Sequence, residues 1–229
     1  MNLILLFESD FIDAERVRLT GRRLAHVTSV HRAAAGDSLV VGVAGGRVGT
    51  GLVLSLDPLE LQVTLDRDPP PPLPLTLVLA LPRPKVLNRV IAGATSLGIK
   101  RIHLINSWRV EKSYWKSPRL AEENLRLQSI LGLEQARDTI LPTITLHRLF
   151  RPFVESFQPP GLALVAHPSA ARECPRDVSE EVTLAIGPEG GFIAQEVESL
   201  ARAGFAPVSL GARILRVETA VAALAARLF

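Results

Sequence analysis

A single cysteine, Cys174, rules out an intrachain disulfide and a cysteine metal cluster, and fits a reducing compartment. Histidine is scarce as well. His26, His31, His103, His147 and His167 have no metal-binding spacing with carboxylates, so no metal is expected. The apolar stretch Leu73 to Leu81 falls well short of the ~18 residues that cross a bilayer. The run Leu3 to Phe7 lacks a basic lead and meets Glu8 and Asp10, which is wrong for a signal peptide and reads as a strand. These absences describe a soluble, cytoplasmic protein with no membrane partner. Repeats and low-complexity segments are missing too, apart from one cluster of prolines.

Lysine is also sparse. Of 26 basic residues only Lys85, Lys100, Lys112 and Lys116 are lysine, and the rest are arginine, the side chain better suited to bidentate phosphate contacts. The net charge is only +3, but it is unevenly spread. Residues 1–68 carry 7 basic and 9 acidic side chains, residues 69–151 carry 13 and 5, and residues 152–229 carry 6 and 9. A basic middle between acidic ends is either a patch directed at a polyanion or a set of solvated helix faces.

With 229 residues and 47% hydrophobic side chains the chain can bury a sizeable core, and two domains are expected. The boundary is Asp68-Pro69-Pro70-Pro71-Pro72-Leu73-Pro74, where consecutive prolines remove amide donors and favour a stiff, extended backbone. The division is therefore 1–68, a linker at 69–74, and 75–229. Before it, β-rich runs (Leu3 to Phe7, Ser38 to Ala44, Arg47 to Leu56, Leu59 to Leu65) alternate with glycine and proline turns, describing a small β-barrel or sandwich. Beyond it, apolar runs at 76–81, 102–105, 162–166, 182–186 and 207–210 alternate with helical patterns, which means α/β. Val86, Leu87, Val90, Ile91, Ala94 and Leu97 mark one helix face; Val221, Leu224, Ala225 and Leu228 mark another. Between 119 and 137 the apolar face is unusually wide, as for a helix buried on two sides or in contact with a partner subunit.

The chemistry concentrates where the strand Val182 to Ile186 runs into Gly187-Pro188-Glu189-Gly190-Gly191-Phe192, followed by a helix over about 194–203 closed by Gly204. Glycines let the main chain approach a flat ligand and offer it amides and carbonyls, which suits an adenine or a ribose. Such a turn also serves simply to connect a strand to a helix. It lacks the Gly-Lys-Ser/Thr ending of a phosphate loop and the glycine spacing of a dinucleotide site, which counts against nucleoside triphosphates and nicotinamides. A second turn, Leu210-Gly211-Ala212-Arg213-Ile214-Leu215-Arg216-Val217-Glu218-Thr219-Ala220, leads into the last helix.

The segment IGPEGGF, a glutamate-bearing helix and LGARILRVETA together resemble the ribosomal RNA small subunit methyltransferase E family of the SPOUT superfamily. The segments LEQARDTILP (133–142), LPRPKVLNRVIAGATSLGI and HVTSVHRAAAGD (26–37) extend the resemblance over most of the chain. The resemblance implies a trefoil-knotted α/β domain after a small PUA-like β-barrel, S-adenosylmethionine as cofactor, 16S ribosomal RNA of the small subunit as partner, and a homodimer through the C-terminal domain. The implied reaction is methylation of uridine N3. Close alternatives are a SPOUT enzyme of transfer RNA or the large-subunit RNA, and an RNA-binding relative without catalysis.

On the matching motifs, the cofactor walls would be Ile186, Gly187, Gly190, Gly191, Leu210, Gly211, Ile214 and Leu215. Leu164 and Ala166 would complete the pocket or belong to ordinary strand core. Arg216, with Arg213 second, would steady the developing imide anion, phosphate contact or a salt bridge being the rival role. Glu218 is either the base or a helix-terminal charge favoured by the dipole. Arg22, Arg23 and Arg32, with Arg83, Lys85 and Arg89, would grip RNA phosphates. One departure stands out: Ser96 precedes Leu97-Gly98 where the family is expected to carry glutamate.

Overall fold

The computed structural model describes residues 2–229. They form two compact units, one running to Pro71 and including Ile130–Leu141, the other comprising Pro72–Ser129 and Pro142–Phe229.

The first unit is built on β1 (Ile4–Leu6), β2 (Arg16–Leu19), α1 (Gly21–His26) with a π-type turn (Val27–His31), β3 (Ser38–Val43), β4 (Val48–Leu56) and β5 (Leu59–Arg67). Its five-stranded sheet has the order β1-β3-β4-β5-β2, parallel only between β1 and β3. β4 and β5 alternate buried and outward residues, as a sheet with one wet face requires. Ile4, Leu6, Val17, Leu19, Val41, Val53, Leu59 and Leu61 fill the interior.

The sequence motif at 133–142 is, up to Leu141, a structural part of this unit. The carbonyl of Glu134 accepts from the amides of Asn2 and Leu3 at 3.0 Å, and its buried carboxylate holds Arg22 in two hydrogen bonds of 2.8 and 3.0 Å. Gly45 N–H donates to the Thr139 carbonyl at 2.8 Å, and Leu133 packs with Leu3, Leu5 and Val48.

The second unit contains β6 (Leu73–Ala80), α2 (Pro84–Ser96), β7 (Ile99–Ile105), the first half of α3 (Glu122–Ala136), β8 (Thr143–His147), α4 (Phe150–Ser156), β9 (Leu162–Ala166), β10 (Val182–Ile186), α5 (Ala194–Arg202), β11 (Ala206–Val208) and α6 (Val217–Leu228). All six strands are parallel, in the order β11-β9-β10-β6-β7-β8. A parallel sheet must be covered on both faces, and the unbroken burial of β10 and of β6 from Leu75 onward shows that it is. α2 buries Leu87, Val90, Ile91 and Ala94, and α6 buries Val217, Val221, Leu224, Ala225 and Leu228, the stripes that their periodicity marks, except that Leu97 lies past the end of α2 and is exposed. The wide apolar face of α3 is only partly used by cores: Leu125 belongs to this unit's and Leu133 to the other's, while Leu127 and Leu131 are 41% and 38% exposed. No helix among the described residues is long and apolar enough to cross a membrane, and no group of His, Cys, Asp and Glu there could hold a metal.

On β7 and β8, His103 Nδ1 lies 3.2 Å from His147 Nε2, and the Thr145 hydroxyl bridges them at 2.7 and 3.1 Å beside Phe153 and Phe157. Burial, then the neighbouring His147 and Arg101, pushes His103 down to about 4 from 6.5, and burial lowers His147 too. With the folded value depressed, the unfolded chain binds the extra proton first. The stability linked to the neutral His103 is fully present above pH ~6.5 and is lost as the pH falls toward 4. Melting curves at pH 7 and pH 4.5 should show a drop that His103→Phe makes smaller; an equal drop in both proteins would refute the assignment.

Candidate active site

Strand order places the site. From β6 the sheet grows outward through β7 and β8, and the chain then returns to lay β10 and β9 on the other side. Ligands of open parallel sheets bind outside the carboxyl ends of the strands where the order reverses. There the structure has a cleft of about 760 Å³. Its walls are Ala166 to Ser169 after β9, Ile186 to Phe192 after β10, Val208 to Gly211 with Arg213 to Glu218 after β11, Arg83, Val86 and Arg89 at the start of α2, and Arg109 after β7.

The glycine turn is clamped from several sides. Gly191 N–H donates to the Pro188 carbonyl at 2.7 Å, and Gly191 has φ +72°, a left-handed conformation that favours glycine. Arg83 N–H donates to the Glu189 carboxylate at 3.0 Å, and the Arg109 guanidinium donates to the Gly190 carbonyl. Glu196, 6% exposed in the first turn of α5, accepts from Ile193 N–H at 3.0 Å and from Trp108 N–H at 2.7 Å. At Gly187 the constraint is space: a Cβ there would lie 2.7 Å from the amide nitrogen of Phe192 and 3.0 Å from Gly191 backbone.

The second turn is irregular from Leu210 to Arg216, whereas the sequence suggests a strand to Leu210; β11 ends at Val208. The chain then bends through Gly211. Arg216 occupies the N-cap of α6 in extended backbone, and its side chain makes no capping hydrogen bond. Glu218, in the first turn, pairs with Arg89 of α2 at 3.1 Å. Five arginines (83, 89, 109, 213 and 216) against Glu189 and Glu218 make the rim cationic.

The family model for the RNA methyltransferase domain matches residues 69–229, the segment that carries this sheet and cleft. The chain belongs to the RNA methyltransferase family. Ribosomal RNA small subunit methyltransferase E of Treponema pallidum is 29% identical over 243 residues, covering 99% of this chain and 90% of its own. The protein of that name from Synechocystis is 29% identical over 213 residues, covering 89% and 69%. The crystal structure of a ribosomal RNA small subunit methyltransferase E from Neisseria gonorrhoeae, bound to S-adenosyl methionine, aligns with a TM-score of 0.76 at 25% identity and covers 99% of this chain and 96% of that one. A putative methyltransferase from Legionella pneumophila, at 23% identity and a TM-score of 0.78, shares the fold.

Within this RNA methyltransferase the structure brings Ala166, Ile186, Gly187, Gly190, Gly191, Leu210, Gly211, Ile214 and Leu215 to one cleft, with Arg213, Arg216 and Glu218 beside them. Arg83 and Arg89 line it too. Lys85 is exposed on α2 outside the lining. Leu164 does not reach it: it lies at the centre of β9, 0% exposed, in the core.

In the other unit, Arg32 is exposed, while Arg22 is paired with Glu134. Arg23 differs from the expectation. Its guanidinium is bound to both oxygens of the buried Asp10 and to the Leu5 carbonyl, with only 15% of the side chain exposed, so it holds the fold together instead of facing solvent. Sequence reasoning missed Arg109 and the segment His167 to Ser169, and gave Glu189 of the glycine turn no role of its own. Ser96 turns its hydroxyl back onto the Gly93 carbonyl at 2.8 Å, beside a groove of about 160 Å³ that Arg89 and Glu218 also line.

Proposed function

We propose that this protein transfers a methyl group from S-adenosylmethionine to N3 of a uridine in 16S ribosomal RNA. The observation that carries this is the cleft built from both motifs at the switch point, together with the names of the relatives that share nearly the whole chain. The residues fit the cofactor: the volume lies within the ~300–1,000 Å³ of small-molecule sites, and the glycine turn exposes main chain where Gly187 leaves no room for a side chain. Ile186, Gly187, Gly190, Gly191, Leu210, Gly211, Ile214 and Leu215 would hold it, with Ala166 at the end of β9. When bound, it supplies an activated methyl group on a sulfonium, which needs alignment and dryness more than a nucleophile.

Uridine N3 carries a proton on its pairing edge, so the base must be unpaired or extruded and then deprotonated. Arg216, with Arg213 behind it, steadies the imide charge. Glu218 either takes the proton or serves α6 as a first-turn charge; its pair with Arg89 favours the second role.

The 1–68 segment is read as a PUA-like RNA-binding barrel, with Arg22 and Arg32 as its phosphate contacts, and 75–229 as the catalytic domain. A trefoil knot in the second domain belongs to this reading through the family resemblance alone. Such threading is rare among folds. A homodimer through the C-terminal domain and a cytoplasmic location complete the reading.

Incubation with labelled S-adenosylmethionine and small subunits carrying unmodified 16S RNA should yield 3-methyluridine by nucleoside mass spectrometry. A different methylated nucleoside overturns the base assignment, and failure to bind the cofactor overturns the whole reading.

A further inference from the structure

Trp108 stands out because it is 79% exposed, whereas Trp115 a few residues later is 9% exposed, with its indole N–H donating to Asn106 Oδ1 at 2.9 Å. An exposed indole is not unusual by itself, but this one is held in place by its backbone. Its amide donates to the buried Glu196 carboxylate, which also fixes the start of α5. The next residue, Arg109, lines the cleft and binds the Gly190 carbonyl, and Val110 is buried, its N–H donating to the Ser107 carbonyl at 3.1 Å. The Trp108 backbone is thus tied to Glu196 of α5 and followed by a buried turn at Val110, and the neighbouring Arg109 side chain reaches the Gly190 wall of the cleft, while the indole ring is exposed to solvent.

The segment after it is basic: Arg109, Lys112, Lys116 and Arg119 outnumber the single Glu111. A flat, rigid aromatic beside cations suits a nucleic acid, since bases stack on the ring while phosphates meet the charges. A protein ligand would need apolar surface around the indole; here Arg109, Glu111 and Lys112 are exposed next to it.

We propose that Trp108 is a stacking platform for an unpaired base of the RNA substrate at the mouth of the cleft. This rests on the RNA-methyltransferase reading above. Stacking on Trp108 offsets the stacking that the RNA loses when a base leaves its helix, so it acts on substrate binding, and the ring takes no part in moving the proton or the methyl group. The ring is not among the cleft walls, so cofactor binding is independent of it.

The test titrates the full-length protein with a short RNA hairpin whose loop contains unpaired uridines, and with a fully paired duplex, following tryptophan emission. The hairpin should quench the exposed tryptophan and the duplex should not, and the quenching should vanish in Trp108→Ala. That variant should bind the hairpin about tenfold more weakly and raise KM for RNA similarly, leaving kcat and the affinity for S-adenosylmethionine unchanged. Trp108→Tyr should restore most of the binding. Unquenched emission on saturation with the hairpin, or an alanine variant with wild-type KM, overturns the platform while methyl transfer still stands. A wild-type protein that binds the cofactor but neither binds nor methylates RNA overturns both.

Discussion

Replacing Arg216 by alanine should lower kcat for methyl transfer by about 100- to 1,000-fold, the usual cost of removing one positioned donor from a developing anion. Arg216 is exposed at the N-cap of α6, lines the cleft and has no ion pair among the described residues, so its charge is available to a ligand. It also makes no capping hydrogen bond, and the melting temperature should therefore stay unchanged, separating the loss from misfolding. Two readings of this arginine make different kinetic predictions. A cation that steadies the imide lowers kcat and leaves KM for RNA alone, and the deficit shrinks as pH rises because hydroxide then helps to ionise N3. A cation that grips a phosphate raises KM, leaves kcat, and reduces the salt dependence of binding by about one counterion. The second pattern for Arg216 would refute the catalytic role. Arg213→Ala is the companion measurement, and its effect on kcat should be the smaller.

The parts of this site that were legible in the sequence are the local ones. β9 and β10 have the bounds that their apolar runs mark, and the stripes of α2 and α6 are visible at spacings of three and four. A turn followed by a helix is also a local pattern, so both turns that line the cleft could be located before any fold was known, while the cofactor role proposed for them came from the family resemblance. What was hidden is pairing at long range. Glu134 and Arg22 are 112 residues apart, and nothing in a proline-rich boundary shows that residues 130–141 complete the unit before it. Trp108 and Glu196 are 88 residues apart, and Arg109 and Gly190 are 81 apart, which is why the loop after β7 was invisible as a wall of the site. Arg23 illustrates the converse error. Basic composition suggested a phosphate contact, but charge count cannot reveal a buried Asp10 waiting for a bidentate partner. β8 was missed because it is a partly exposed edge strand, Thr143–His147, with no unbroken apolar run like those of β9 and β10, and α4 because seven residues are too few for a helical period to emerge.

The second large effect belongs to Gly187. Its φ lies outside the left-handed region, so the case for glycine is purely one of room: the added methyl of Gly187→Ala would sit 2.7 Å from the amide nitrogen of Phe192. That neighbour is backbone and cannot swing away as a flexible side chain would. Phe192 is itself buried, and the next residue is fixed to Glu196, so relief must come from opening the turn between Gly187 and Gly191. Overpacking of this kind costs about 1–3 kcal/mol of stability. The larger effect falls on the cofactor, because opening the turn moves the amides and carbonyls that would contact it. Calorimetry should show binding of S-adenosylmethionine weakened by about 100-fold or more, on the order of 3 kcal/mol. Gly93→Ala is the matching control. It adds the same methyl inside α2, where nothing lies within 4 Å, and should stabilise the protein by about 0.5–1 kcal/mol while leaving cofactor affinity unchanged. If Gly187→Ala bound the cofactor as tightly as the wild type, the glycine turn would be a mere strand-to-helix connection and the cofactor would have to be held elsewhere.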